Sequence, residues 1–222
     1  CYVGARIAYR DAGDLPPVQA ASAGPWVHRF MVACVTASIE LATLSRNDVS
    51  YIAGHRVLSR AKAELRHPVS IIDPQARDSV TKDLIPDALF GLEYHTPDGS
   101  RFRFFVVECD RATEPATTKR FNRKSWLRSL RQYEEYIGRS RYKDHLRLTA
   151  PLLVLNVITD ETRLSQLLAV TEKKAPASGN AYHLFQTIEG FGPIFRPTLP
   201  MPGLLEGPWQ RAGREPFQID RR

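Results

Sequence analysis

Three acidic residues sit where the surrounding sequence is otherwise apolar. Asp87 directly follows Pro86, and Glu108 and Asp110 end the run Phe104-Phe105-Val106-Val107. Between them, Thr96-Pro97-Asp98-Gly99-Ser100 has the makings of a tight reversal, Pro fixing φ and Gly supplying φ > 0. Leu84 to Tyr94 and Arg101 to Cys109 therefore read as the antiparallel strands of one hairpin. Residues i and i+2 of a strand share a face, which points Glu108 and Asp110 the same way, about 7 Å apart. Carboxylates leaving so apolar a strand cost free energy unless a cation or hydrogen-bond donors compensate them. Magnesium suits them. It takes one or two carboxylates together with waters and phosphate oxygens, and Asp87, Glu108 and the backbone carbonyl of Cys109 offer that set across neighbouring strands. The alternative is that Arg111 or Arg103 neutralises the acids at a strand end.

The charge of the protein collects just downstream. The 222 residues contain 31 Lys+Arg and 24 Asp+Glu, for a net charge of +7. Eleven basic and four acidic residues lie between Arg111 and Arg147, so this one segment accounts for the whole excess. A local positive field of that kind favours a polyanion such as nucleic acid or an anionic membrane, the other reading being a solvated helix face. Residues 121–139 have a helical pattern, with Phe121, Trp126, Leu127, Leu130, Tyr133 and Ile137 on an apolar side and arginines over the remainder. This predicts a basic helix. Its Tyr133 and Tyr136 either stack on bases or fill the core, the commoner fate of a helical aromatic.

The remaining elements have to position these groups. Pro25 opens a helix whose stripe of Trp26, Phe30, Ala33, Cys34, Ala37, Leu41 and Leu44 is expected to face the core, with Glu40 at the edge of that stripe. Asp48 to Ile52 reads as a short strand, Arg56 to Leu65 as a short helix, and His67 to Lys82 as a Pro-containing connector. Leu152 to Ile158 is a continuous aliphatic run, as expected of a central strand covered on both faces. Asp160 can cap a helix reaching about Lys173, its buried side formed by Leu164, Leu167, Leu168 and Thr171, and Tyr182 to Ile188 follows as an outer strand. The order predicts an α/β fold, a central mixed β-sheet flanked by helices. Residues 1–24 read as a leader or linker, 25–189 as the domain, and 190–222 as a Pro/Gly-rich tail that wraps over a surface or is mobile.

Composition narrows the function classes. With 43% apolar and 25% charged residues the chain falls near the globular average, and its longest apolar run is far short of the ~20 residues a membrane helix needs. Three cysteines without paired spacing indicate no disulfide framework and a reducing cytoplasm. A start at Cys1 with no secretory signal suggests that part of the protein lies upstream. Nucleotide-binding glycine loops, a zinc-protease helix motif and a serine-hydrolase elbow are all missing from the sequence.

Pro86-Asp87, a hairpin, Glu108-Cys109-Asp110, a basic helix and a buried strand together resemble the PD-(D/E)xK nuclease superfamily. Leu84-Ile85-Pro86-Asp87-Ala88-Leu89-Phe90, Phe105 through Pro115 and Leu130-Arg131-Gln132-Tyr133-Glu134-Glu135-Tyr136 resemble, more narrowly, the nuclease-like domain of bacterial replication-relaxation proteins, and the leading helix with His28 and Glu40 fits as well. The resemblance covers about residues 26–160. It implies a restriction-endonuclease-like core, DNA as partner, Mg²⁺ or Mn²⁺ as cofactor and a winged-helix region upstream; a homo-oligomer is a separate expectation. It further implies that Asp87 and Glu108 bind the metal with Glu40 as an outer or second-metal ligand, and that Asp110 holds a water or metal. Active members commonly have lysine where this chain has Asp110, so Lys124 is the replacement candidate, and Lys119, Arg120, Arg123, Arg128 and Arg131 are expected to grip the sugar-phosphate backbone. The leading expectation is Mg²⁺-dependent nicking or cleavage of DNA for a plasmid or other mobile element. The alternatives are a catalytically degenerate DNA-binding module and a protein-interaction scaffold.

Overall fold

The computed structural model describes residues 26–191 and 199–221; the expected leader at 1–24 lies outside them. A seven-stranded mixed sheet dominates. In chain order the elements are α1 (Trp26–Thr43), β1 (Val49–Ala53), α2 (Gly54–Ala61), β2 (His67–Ile72), β3 (Ser79–Leu84), β4 (Ala88–Thr96) and β5 (Gly99–Asp110). There follow α3 (Trp126–Gly138), α4 (Arg141–Leu146), β6 (Leu152–Ile158), α5 (Glu161–Lys174), β7 (His183–Thr187), α6 (Gly203–Glu206), β8 (Pro208–Arg211) and β9 (Arg214–Gln218). The spatial order is β1-β4-β5-β6-β7-β8-β9. β5, β6 and β7 run parallel, and every other neighbouring pair is antiparallel.

The β4–β5 hairpin is the spine of the sheet. Gly99 turns it with a φ of 110°, a value that side-chain-bearing residues avoid, and its ideal Cβ position is open space, so backbone freedom is the reason for glycine. Alternation along β5 then divides the core. Phe105, Val107 and Cys109 point into one layer, against Met31, Val35 and Ile39 of α1, whereas Phe104 and Val106 point into another, beneath α2, α3 and α4. β6 lies beside β5, and its aliphatic run is buried on both faces as its composition predicts. Asp160 caps α5 by accepting a hydrogen bond from the Arg163 amide at 2.7 Å.

Three local expectations need correction. The stripe that periodicity assigns to the core is only partly inward: Phe30 and Cys34 pack against the core, but Trp26 is 59% and Leu41 49% exposed, as is Leu44, just past the helix, at 74%, while Met31, Val35 and Ile39 are fully buried. α1 is apolar on nearly every side, so spacing alone does not say which side turns inward. The connector at His67–Lys82 is instead a hairpin, β2–β3, in which Val69 and Ile71 are buried at alternate positions. Pro68 falls near the start of a strand outside the main sheet, where a missing N–H is tolerated. Finally β7 is not an outer strand, because β8 pairs against it.

That last contact involves the Pro/Gly-rich tail. Its residues 203–218 provide α6, β8 and β9, and Trp209, fully buried, donates Nε1–H to the carbonyl of Leu204 at 3.1 Å. Tyr94 on β4 donates its hydroxyl to the carbonyl of Ile219 at 2.6 Å, tying the tail back across the sheet. Frequent Pro and Gly mask how much apolar surface this segment contributes. Trp209→Ala is expected to lower the free energy of unfolding by about 3–5 kcal/mol in urea denaturation, as for a large aromatic lost from a closed core; a change within the error of the measurement would show the tail to be dispensable.

Candidate active site

At the C-terminal end of β5 a cavity of about 210 Å³ opens between the two layers. Asp87 and Glu108 both line it, with His28, Lys124, Asp110 and Glu114. The register explains why the two acids meet. Ala88 pairs with Val107, so extending the ladder by one residue sets Asp87 opposite Glu108, and the Asp87 amide indeed donates to the Val107 carbonyl at 3.0 Å. The Asp87 side chain is held from two sides. One oxygen accepts from the Cys109 amide at 2.8 Å and the other pairs with His28 Nε2, from α1, at 2.9 Å. That hydrogen bond raises the His28 pKa above the ordinary histidine value, against the lowering effect of burial.

Glu108 accepts a hydrogen bond from the Tyr133 hydroxyl of α3. Burial, and then the adjacent negative charge of Asp87, push its carboxyl up to about 8, although Tyr133 and Lys124 favour the charged form. Tyr133 is itself fully buried, its ring lying edge-on to His183 at 5.5 Å. Burial holds the His183 imidazole down to about 3, and the ring is a neutral packing partner behind the cavity. Both helical tyrosines are thus core residues, and the base-stacking role is closed to them: Tyr133 is 0% and Tyr136 3% exposed.

Asp110 shares the face of Glu108 but is otherwise engaged. Its Oδ2 accepts from Arg163 at 2.8 and 3.2 Å and its Oδ1 from the Ala112 amide at 2.6 Å. Arg163, from α5, also donates to the Glu114 carbonyl at 2.7 Å, and only 7% of its side chain is exposed. The acid expected to hold water or metal therefore pins the outgoing chain. Ala112 adopts a left-handed φ of 58°, an unfavourable state for alanine that this clamp stabilises. The arginine responsible is neither Arg111 nor Arg103: Arg111 donates to the Phe191 carbonyl at 3.1 Å, and Arg103 packs over the Phe217 ring.

The positive charge is arranged differently from the sequence pattern. Ser125 caps α3, accepting from the Arg128 amide at 3.2 Å, so the helix starts at Trp126 and Lys119, Arg120, Arg123 and Lys124 lie on the loop before it. All four are exposed. Asp73, at the β2–β3 turn, accepts from the Phe121 amide at 2.6 Å and thereby anchors the middle of this basic loop. Arg128 is buried and donates to the Phe121 carbonyl at 3.3 Å, and Arg131 pairs with Glu134 one turn on. These two brace α3 and its loop. Lys124 reaches the cavity, where it pairs with Glu114 at 3.0 Å; burial opposes its charge, but Glu108, Glu114 and Asp87 together keep its pKa above the ordinary lysine value.

Glu40 is not brought to this cavity. It lies twelve residues beyond His28 on the same helix, about 18 Å along the axis. Sequence reasoning missed Arg163, Glu114 and Tyr133 as partners of the acidic and basic groups. The Arg163 signal was its position in the first turn after the Asp160 cap; Glu114 stood in the Phe105–Pro115 segment, but nothing there marked it as the partner of Lys124, nor the hydroxyl of Tyr133 as that of Glu108. Among the described residues no three His, Cys, Asp or Glu side chains form a ready metal cage. The donor set that remains, Asp87 and Glu108 at a cavity with room for water, matches a hard cation that takes one or two carboxylates and completes its shell with solvent and phosphate.

The raised Glu108 pKa makes a prediction about stability. The folded value of about 8 exceeds the ordinary 4.5, so the folded state holds the proton more tightly and loses stability as pH rises from 4.5 through 8. In chelator-containing buffer Glu108→Gln is expected to match the parent below pH 4.5 and to melt about 5 °C or more above it at pH 9. Equal melting curves at both pH values would contradict the buried, repelled carboxyl.

No curated protein and no solved structure matches the chain significantly. A model of the replication-relaxation family matches residues 21–152, which take in α1, the β4–β5 hairpin, the basic loop, α3 and the start of β6. With more than half of its length matched, the chain belongs to the replication-relaxation family.

Proposed function

We propose that this chain is a DNA-processing domain acting in the replication of a plasmid or other mobile element, and that it hydrolyses phosphodiester bonds with Mg²⁺ or Mn²⁺. One observation carries the reading: two carboxylates from neighbouring strands, Asp87 and Glu108, share a solvent-accessible cavity with the ammonium of Lys124, which belongs to an exposed basic loop. The element order α1, β1, β4, β5, α3, β6, with β2–β3 inserted, also accords with a PD-(D/E)xK core. When bound, the cation would supply Lewis acidity toward a phosphoryl oxygen and a water of lowered pKa.

The chain's own residues do the rest. Asp87 and Glu108 hold the cation, and Asp87 is kept in orientation by His28 and the Cys109 amide. Lys124 brings positive charge to the phosphate, where charge develops as the bond to the leaving oxygen breaks. Lys119, Arg120 and Arg123 contact the backbone of the nucleic acid without reading its sequence. Asp110 takes no part beyond fixing the loop through Arg163. A second reading, a DNA-binding module without catalysis, is favoured by two of these contacts, since Asp110 and Lys124 already have partners in Arg163 and Glu114.

Incubation of supercoiled plasmid and short single- and double-stranded DNA with Mg²⁺ or Mn²⁺ distinguishes them. The parent is expected to cut, and Asp87→Ala and Glu108→Ala to cut at least about 100-fold more slowly while binding DNA unchanged. Binding without cutting in every condition would establish the second reading. Changing Lys119, Arg120 and Arg123 to Ala together is expected to flatten the dependence of log affinity on log salt by about 3, and unaltered slopes would remove the basic loop from the interface.

A further inference from the structure

Phe102 is a large apolar residue that the β4–β5 hairpin leaves in water. It shares a face of β5 with Phe104 and Val106, but those two are buried beneath the helices, whereas Phe102 is 41% exposed. Between it and α2 lies a groove of about 270 Å³. Buried Val57 and Phe104 and the half-buried Ile52 and Ala150 give the groove an apolar lining, to which Phe102 and Arg60, both exposed, add a ring and a guanidinium. Arg56 and Thr149 line it too. No acidic side chain lines it: Glu93, which the register sets opposite Phe102, is not part of its wall, and among the described residues Arg60 forms no ion pair. Gly54 fixes α2 beside the groove, since a Cβ there would fall 2.0 Å from the Leu89 carbonyl oxygen of β4, and only glycine lets the helix press so closely on the sheet.

We infer that this groove takes one base of single-stranded DNA, its ring on Phe102 and its phosphate on Arg60, and so holds the strand at a point separate from the cavity of Asp87 and Glu108. The inference rests on DNA being the partner, but not on its being cut. An exposed phenyl ring beside a guanidinium is the pair of groups that single strands use, because any base can stack on the ring while the adjoining phosphate meets the cation. The neutral polar lining is limited to Thr149, too little to select a free nucleotide by its base, so the contact gains its affinity as one of several along a strand. A duplex is the wrong occupant, since its bases are stacked on one another and offer only their edges. An apolar peptide side chain would use the lining but leave the charge of Arg60 unmatched. Phe102 lies six residues before Glu108 on the same face of β5, about 20 Å along the strand, a distance that a few extended nucleotides span.

Fluorescence anisotropy with single-stranded oligo-dT of about 15 nucleotides, in chelator so that nothing is cut, tests the inference. Phe102→Ala is expected to weaken binding at least about fivefold, and Phe102→Trp to preserve it. Arg60→Ala is expected to flatten the dependence of log affinity on log salt by about 0.7. On an abasic strand of the same length, which keeps its phosphates, the parent and Phe102→Ala are expected to bind alike, a result that a misfolded variant would not give. Asp87→Ala should hold the intact strand as the parent does, so a parent that binds but never cuts leaves the inference standing. Phe102→Ala that binds oligo-dT as tightly as the parent, or that weakens intact and abasic strands equally, would overturn it without touching the site of Asp87 and Glu108. Failure of the parent to bind the strand at low salt would overturn it together with DNA as the partner.

Discussion

Two carboxylates forced together at the end of a strand pair are the constraint on which this structure turns. The β4–β5 ladder sets Asp87 against Glu108, and neither can retreat: Asp87 is tied to His28 and the Cys109 amide, Glu108 to the Tyr133 hydroxyl. Burial, and then the adjacent charge of Asp87, push the Glu108 carboxyl up to about 8. The rest of the fold reads as support for that arrangement, with α1 bringing His28, α3 bringing Tyr133, and α5 holding the loop that carries Lys124.

The clamp made by Asp110 and Arg163 changes what the third acidic position means. In the motif it occupies the place commonly taken by a catalytic lysine, but here it fixes a turn, and the positive charge comes to the cavity from Lys124 on the downstream loop. Arg163 spans Asp110 and the Glu114 carbonyl, so the same guanidinium orders the strand end and the loop. Asp73 anchors the loop again from the β2–β3 turn. Two distant segments therefore hold one stretch of chain in position, and that stretch presents Lys119, Arg120 and Arg123 to solvent.

Much of this was legible in the sequence where a residue's local chemistry determines its place. The hairpin, the aliphatic central strand and the Asp160 cap follow from turn residues, composition and a capping side chain, which act over a few positions. The convergence of Asp87 and Glu108 was legible for the same reason, since a tight turn fixes the register. Pairings between distant segments were not: Asp110 with Arg163 and Asp73 with Phe121 depend on how layers stack. α1 misled in part because it is apolar on nearly every side, so spacing that picked out Phe30 and Cys34, which do pack on the core, did not single out Met31, Val35 and Ile39, which are buried most deeply. The tail misled because Pro and Gly conceal Leu204, Leu205, Trp209 and Ile219, all buried in the main core. Arg128 looked like one more phosphate contact, and Ser125, by starting α3 where it does, turned it inward instead.

The central claim is that Asp87 and Glu108 together make a cation site while Asp110 does not. Electron paramagnetic resonance of Mn²⁺ titrated into the protein tests it directly, because bound ion is separated from free ion without any need for DNA or turnover. The account predicts one Mn²⁺ per chain in the parent, loss of that ion in Asp87→Ala and Glu108→Ala, and its retention in a folded Asp110→Asn. No bound ion in the parent, or an ion that survives loss of both Asp87 and Glu108, would contradict it.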